Sequence, residues 1–385
     1  MLKEDSPATS QSASRRAAPL RVGIIGSGFM GSVHARAARS AGGALVGVAA
    51  SSLESAGRAR NAFGAGRAFS SVDDLLDAGV DVLHVCTPNF LHYDLALAAV
   101  RAGVHVICEK PLTTDLRDAT RLTSEADQRG VVGTVPFVYR FHPMVREMRQ
   151  RVLRGETGRI ALASGSYLQD WLANATDTNW RVDPELGGRS RTFADIGSHW
   201  FDLLEFVLDT RVARLSAQFA TQFSSRGERA GGAAGVMTED TVTVQFTTTD
   251  GILGSFAASQ VARGRKNRLA LELSGDAHSF AFDQENPESI WQGDEFGSRT
   301  LVRDPSTLSP DAARLCTVPS GHSQGYQDCF NAFVADSYAA TRGERRDGLP
   351  TFSDGLRSVR LVEAVVSSAS SGGEWVRGLD REETA

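Results

Sequence analysis

The sequence predicts two units in series: an α/β unit on a parallel sheet over residues 20–142, then an α+β unit with a large, mostly antiparallel sheet over residues 143–350. Three observations predict it. Up to Val135, short continuous apolar runs alternate with stretches of helical period, the pattern of strands covered by helices on both faces. A glycine-rich turn, Gly26-Ser-Gly28-Phe-Met-Gly31, joins the first such run to the first helix. After Phe141 the apolar residues recur with a period near two, as in a sheet with one wetter face.

The elements follow in order. Strands are expected at 21–25, 44–50, 82–86, 104–108 and 131–135, separated by helices at 31–40, 54–63, 93–102 and 115–129. Gly103 and Gly130 stop the last two helices, as glycine does just past a helix end. A helix at 144–153 opens the second unit, and its sheet runs are 160–169, 214–223, 240–246, 253–261 and 268–273. Residues 225–235, rich in Gly, Ala and charge, read as a hairpin loop. A final helix spans 351–370, with Leu356, Val359, Val362 and Val366 on one side. Residues 1–19 carry no apolar period and read as a disordered tail.

Composition narrows the function. A net charge of -5 gives no basic surface for nucleic acid. No apolar run approaches the roughly 20 residues of a membrane span. Cys86, Cys108, Cys316 and Cys329 form no CxxC pair and no Cys/His cluster of zinc spacing, so free thiols and no metal are expected. Arg15-Arg16 invites an export signal, but the apolar stretch behind it is the first strand; the reading is a cytoplasmic protein.

A bare GxGxxG is a weak signal; after a strand and at a helix start it is the fingerprint of a dinucleotide-binding Rossmann domain. Gly26 serves the tight turn, Gly28 lets the backbone approach a pyrophosphate at the helix N-terminus, and Gly31 lets helix and strand pack closely. Phe29 and Met30 lie in the same loop. The acid expected about 20 residues on, for the ribose hydroxyls, is absent; Ser51 and Ser52 stand at the end of the second strand. Small hydroxyl residues leave both NAD and NADP open.

Three further stretches carry chemistry: Thr87-Pro88-Asn89-Phe-Leu-His92, Cys108-Glu109-Lys110-Pro111 and Asp195-Ile-Gly-Ser-His199-Trp-Phe-Asp202. The first two lie beyond strand ends, where open α/β sheets bind ligands. Thr87, Pro88, Asn89, His92, Glu109 and Lys110 are therefore candidates for the cofactor side, with His92 equally open to a purely structural role. With the EKP motif, the DxGxH motif and the segment from Phe137 to Pro143, the chain from Leu20 to about Gly378 resembles the Gfo/Idh/MocA oxidoreductases. The resemblance implies a Rossmann domain plus an open-faced sheet domain, assembly as a dimer or tetramer through that sheet, and the 351–370 helix packing back on the Rossmann domain. It also implies oxidation of a ring alcohol of a sugar or inositol, a cis bond at Pro111, and catalytic roles for Lys110, Asp195 and His199.

The residue types agree with that chemistry. Oxidising a secondary alcohol needs a proton acceptor, which an imidazole near neutral pH supplies. A lysine cation beside the developing alkoxide stabilises it. Asp195 either shares a helix face with His199 four residues on or caps the helix. Tyr139, Arg140, Gln169, Trp171, Trp180 and Arg181 are candidates for substrate contact, because aromatic faces beside amide and guanidinium groups suit a carbohydrate. The same two tryptophans are equally readable as core anchors of a long loop. Gln324, Tyr326 and Asp328 read first as a helix start. Two other functions stay open: a glycosidase working by transient oxidation and elimination, and a non-catalytic dinucleotide sensor. If residues 51–52 face the ribose, Ser51→Asp will lower the ratio of catalytic efficiency with NADP to that with NAD; an unchanged ratio in steady-state assays places the ribose elsewhere.

Overall fold

The computed structural model describes residues 18–229, 232–235 and 238–379; most of the expected tail at 1–19 lies outside them. The first unit runs β1 (Arg21–Ile25), α1 (Phe29–Ser40), β2 (Ala44–Ala49), α2 (Leu53–Phe63), β3 (Arg67–Phe69), α3 (Val72–Asp77), β4 (Val82–Val85), α4 (His92–Arg101), β5 (His105–Cys108), α5 (Leu116–Gln128) and β6 (Gly133–Thr134). Its six strands are parallel in the order β3-β2-β1-β4-β5-β6. The order reverses between β1 and β4, so a crevice opens beyond their carboxyl ends. Local chemistry sets the helix starts: Ser52 Oγ accepts from Ser55 N at 3.1 Å, and Asp115 Oδ1 from Arg117 N at 2.8 Å.

The second unit follows: α6 (Pro143–Leu153), β7 (Ile160–Leu168), α7 (Pro184–Gly187), α8 (Ser198–Leu208), β8 (Val212–Ala220), β9 (Ser225–Arg229), β10 (Gly232–Gly235), β11 (Thr241–Thr248) and β12 (Leu253–Ser259). It continues with β13 (Arg268–Gly275), β14 (Ser279–Asp283), β15 (Ser289–Asp294), β16 (Gly297–Val302) and α9 (Pro310–Ala313). The chain ends with α10 (Tyr326–Ala340), α11 (Phe352–Ser370) and β17 (Val376–Arg377). Nine strands form one sheet in the order β16-β15-β14-β13-β7-β12-β11-β8-β17, antiparallel except where β7 meets β12. β9 and β10 pair as a separate antiparallel hairpin. On one face the sheet buries Trp200, Phe201 and Phe246 in a single aromatic core with α8.

Two helices late in the sequence pack into the core of the first unit, and the second of them also into that of the second unit. α10 lies within the 143–350 stretch, yet Phe330, Phe333, Val334 and Tyr338 are buried with Val22, Ile24 and Val33 of the first unit. α11 buries Phe352 and Val359 with the Rossmann helices and Leu361, Ala364 and Val365 with the second core. The chain re-enters at β6, where Val135 N donates to Pro350 O at 3.1 Å.

Arg140, expected at the substrate, is turned away from it. The guanidinium is buried between Asp202 of α8 and Asp354 of α11, with Nε to Asp202 Oδ2 at 2.8 Å and Nη2 to Asp354 Oδ1 at 2.8 Å. Asp354 also accepts from Thr351 N at 2.8 Å, at the start of α11. Removing the cation strands two carboxylates at the joint between α8 and α11. Arg140→Ala will therefore lower unfolding free energy in urea by about 3–5 kcal/mol and leave KM for the sugar unchanged; intact stability with a raised KM would return Arg140 to the substrate.

Candidate active site

A cleft of about 1100 Å³ lies between the units, walled on one side by the glycine loop and the ends of β4 and β5, and on the other by the second unit. Gly26 sits at φ +120°, and a Cβ there would stand 2.4 Å from Cys86 O. At Gly31 a Cβ would stand 2.3 Å from Gly26 O. Both positions therefore require glycine for the turn and the close approach. A Cβ on Gly28 meets nothing within 4 Å, so the open space there faces the cleft. No side chain caps α1 at Gly28, and its first amides stay free for an anion. Thr87 Oγ1 is buried at the cleft wall with no partner. An open cradle, free amides and an orphaned hydroxyl fit a dinucleotide.

The other expected cofactor residues divide. Phe29, Met30, Ser51, Pro88, Asn89, Glu109 and Lys110 line the cleft, and Asn89 Nδ2 also donates to Gly187 O at 3.0 Å. Ser52 does not; its hydroxyl is spent on capping α2. His92 is buried behind the wall, its ring nitrogens against Pro111 O at 2.7 Å and Thr87 O at 3.0 Å, and it braces the ends of β4 and β5 against each other. Burial lowers its pKa against the two carbonyls. Arg58 is paired with Glu54 on the exposed face of α2.

Across the cleft, a π-type turn at Phe193–Gly197 leads straight into α8. Asp195 lies inside that turn, so it neither caps the helix nor shares a regular α-helical face with His199. Such wide turns are rare and recur at functional sites. Lys110 follows β5 at a cis bond to Pro111, and its Nζ donates to Asp195 Oδ1 at 2.6 Å and Asp195 O at 2.9 Å. Gln260 Nε2 donates to Asp195 Oδ2 at 2.8 Å, and Arg181 Nε lies 3.4 Å from Oδ1. Burial pushes the Asp195 carboxyl up, but the Lys110 and Arg181 cations outweigh it and hold the group well below the usual carboxylate range.

His199 stands edge-on to Tyr139 and Phe137, and its Nδ1 is buried without a partner. Burial first, and the Lys110 charge second, push its pKa down to about 3, so the ring is neutral near pH 7. Around it Tyr139, Tyr167, Asn267, Gln169 and Trp171 form one hydrogen-bonded strip: Tyr167 Oη donates to Asn267 Oδ1 at 2.8 Å, Gln169 Nε2 to the same oxygen at 2.7 Å, and Trp171 Nε1 to Gln169 Oε1 at 2.8 Å. Trp171 and Trp180 are half-buried cleft residues, not core anchors, and the Arg181 guanidinium stacks on Trp180 at 4.3 Å. Gln324 and Asp328 are structural at the start of α10, holding Leu315 O and Gly325 N, while Tyr326 reaches the cleft.

Sequence reasoning missed Tyr167, Gln260 and Asn267. Gln260 directly follows β12 and Asn267 directly precedes β13, and a polar residue bounding an alternating run was the available signal.

Residues 20–137 match the oxidoreductase family with an NAD-binding Rossmann fold, and residues 145–281 match the Gfo/Idh/MocA C-terminal domain. The chain belongs to the Gfo/Idh/MocA oxidoreductase family. Among relatives of this oxidoreductase, the levoglucosan dehydrogenase of Pseudarthrobacter phenanthrenivorans is 28% identical over 93% of this chain and 97% of its own. A solved levoglucosan dehydrogenase in complex with NADH and levoglucosan superposes with a TM-score of 0.86 at 28% identity, covering 94% of this chain and 99% of that one. An inositol dehydrogenase homolog from Azotobacter vinelandii, complexed with NADH and myo-inositol, gives a TM-score of 0.83 at 25% identity over 94% and 98%. Among the described residues no helix is long and apolar enough to cross a membrane.

The glycine geometry separates binding from folding. Gly28→Val will keep the melting temperature and raise the dinucleotide Kd by about tenfold or more through clash at the phosphates. Gly31→Ala will lower the melting temperature instead. Calorimetric titration and thermal melts read both, and a Gly28→Val protein that binds dinucleotide normally would refute the cradle.

Proposed function

We propose that this oxidoreductase moves a hydride between a secondary-alcohol carbon of a sugar, sugar derivative or inositol and NAD, at a centre formed by Lys110, Asp195 and His199. The observation that carries the reading is the Lys110–Asp195 ion pair, 2.6 Å long, on the wall of the cleft that also holds the open glycine cradle and the neutral His199. NAD, when bound, supplies the hydride acceptor. The ammonium of Lys110 steadies the substrate oxygen as its proton leaves, and the neutral imidazole of His199 takes that proton. Asp195 is fixed as an anion and orients Lys110. The strip from Tyr139 to Trp171, with Trp180 and Arg181, offers ring faces and paired donors and acceptors to a polyhydroxylated ring. Relatives solved with levoglucosan and with myo-inositol support that substrate class. The match to a family with an NAD-binding Rossmann fold, and relatives solved with NADH, support NAD over NADP.

A panel of inositols, monosaccharides and anhydrosugars, followed by nicotinamide absorbance, tests the reading; turnover of glycosides with no net absorbance change would overturn it. On the best substrate, Lys110→Met and His199→Ala will each cut turnover roughly 10²–10⁴-fold, and dinucleotide Kd will change little. The pH profile is the sharper check. With the His199 pKa pushed down to about 3, the expected wild-type profile of kcat/KM for oxidation has no acid limb at ordinary imidazole pH. Lys110→Met removes a charge that depresses that pKa, so in its residual activity the acid limb moves up toward neutrality; an unmoved limb would separate the two residues.

A further inference from the structure

Outside the reacting centre, four buried polar side chains from four separate elements form a single string. Tyr338 of α10 meets His84 of β4, Oη to Nε2 at 2.9 Å; His84 meets His34 of α1, Nδ1 to Nδ1 at 2.9 Å; and His34 Nε2 meets Glu109 Oε1 at 3.0 Å, just past the end of β5. The two histidines are fully buried, Tyr338 is 1% exposed and Glu109 is 7% exposed. Only Glu109 reaches the cleft. None of the four belongs to the proton-accepting centre, and four ionisable groups in an apolar interior are costly unless each is paired.

The far end of the string decides which way its protons point. Three gaps hold three protons, and the Tyr338 hydroxyl makes no other hydrogen bond among the described residues. If Glu109 donated into the string, each proton would shift toward Tyr338, and the phenol proton would be left buried without an acceptor. If Tyr338 donates to His84, His84 donates through Nδ1 and His34 donates through Nε2, every gap is filled and Glu109 only accepts. That arrangement needs two neutral imidazoles and one carboxylate. Burial holds the His84 pKa well below the ordinary value. Burial pushes Glu109 up, but the hydrogen bond from His34 and the Lys110 cation bring it below the usual value. Glu109 Oε2 also accepts from Lys110 N at 3.2 Å, and the thiols of Cys86 and Cys108 lie near it as uncharged groups.

From this geometry we infer that Tyr338, His84 and His34 are positioning residues that fix Glu109 as an anion in the cleft wall, and that this anion makes the site prefer the oxidised, positively charged nicotinamide over the neutral reduced one. The inference rests on the proposed NAD site. Oxidation of the alcohol turns a cationic ring into a neutral one, so a fixed negative charge in a wall of low polarity stabilises one redox form of the cofactor and not the other. The string dead-ends in the protein interior at Tyr338, so it sets a charge and conducts nothing to solvent.

The test compares Kd for NAD+ and for NADH, measured by calorimetry without sugar, in wild type and variants. Glu109→Gln, which keeps shape and loses charge, will reduce the preference for NAD+ by about tenfold. Tyr338→Phe, remote from the cleft, will reduce it in the same direction by a smaller factor, because the string is then free to run either way. His34→Leu will behave as Glu109→Gln, and His34→Gln, which keeps an N–H for Glu109, will restore most of the preference. An unchanged Kd ratio in folded Glu109→Gln would overturn the inference while leaving the dinucleotide site intact; wild type binding neither form would overturn both. NMR of labelled imidazole nitrogens in the cofactor-free protein reads the string directly. The expected result is Nε2–H on His34 and Nδ1–H on His84, both neutral; a cationic ring at either position would refute the proton order.

Discussion

Lys110 leaves the end of a Rossmann strand and Asp195 sits in a π-type turn of the second unit, 85 residues later, and the ion pair between them joins the two walls of the cleft. Much of the site's geometry is arranged around that contact. Lys110 is 13% exposed and Asp195 15% exposed, so each charge would be costly alone. Gln260 and Arg181 complete the carboxylate from the second unit, while His92 braces Pro111 behind the lysine. Burial keeps the His199 imidazole unprotonated, and the Lys110 cation adds to it against the opposing charge of Asp195.

The supports of this centre are drawn from distant parts of the chain. α10 and α11 return after the large sheet to fill the face and edge of the first unit, and Arg140 locks α8 and α11 together through Asp202 and Asp354. α11, with apolar residues in both cores, ties the two units together behind the cleft. The buried string ending on Glu109 extends the same principle to charge: the interior fixes not only where side chains stand but which of them carry protons.

Much of this was legible in the sequence, for identifiable reasons. The parallel sheet showed because its strands are continuous apolar runs separated by helices, two of them closed by Gly103 and Gly130, and the glycine cradle showed because it falls between a strand and a helix. Lys110, Asp195 and His199 stood out through the family resemblance that the EKP and DxGxH motifs carry together, with residue types that suit the chemistry. Short elements did not show: β3 has three residues, and β14, β15 and β16 lie in turn-rich sequence. Arg140 was misread because neighbours in sequence do not fix which way a side chain points in a single tight turn. The string from Tyr338 to Glu109 spans positions 34 to 338 and no local pattern joins them, although His84 inside the apolar run Val82–Val85 was a visible anomaly.

The most direct measurement is a crystal structure of the protein with NADH and an unreactive analogue of its best sugar substrate. The predicted result places one ring hydroxyl within about 2.6–3.2 Å of both Lys110 Nζ and a His199 ring nitrogen, with its carbon facing the nicotinamide and the phosphates over Gly28. A sugar bound in the same cleft with no hydroxyl in reach of Lys110, or a nicotinamide lying away from the ion pair, would contradict it.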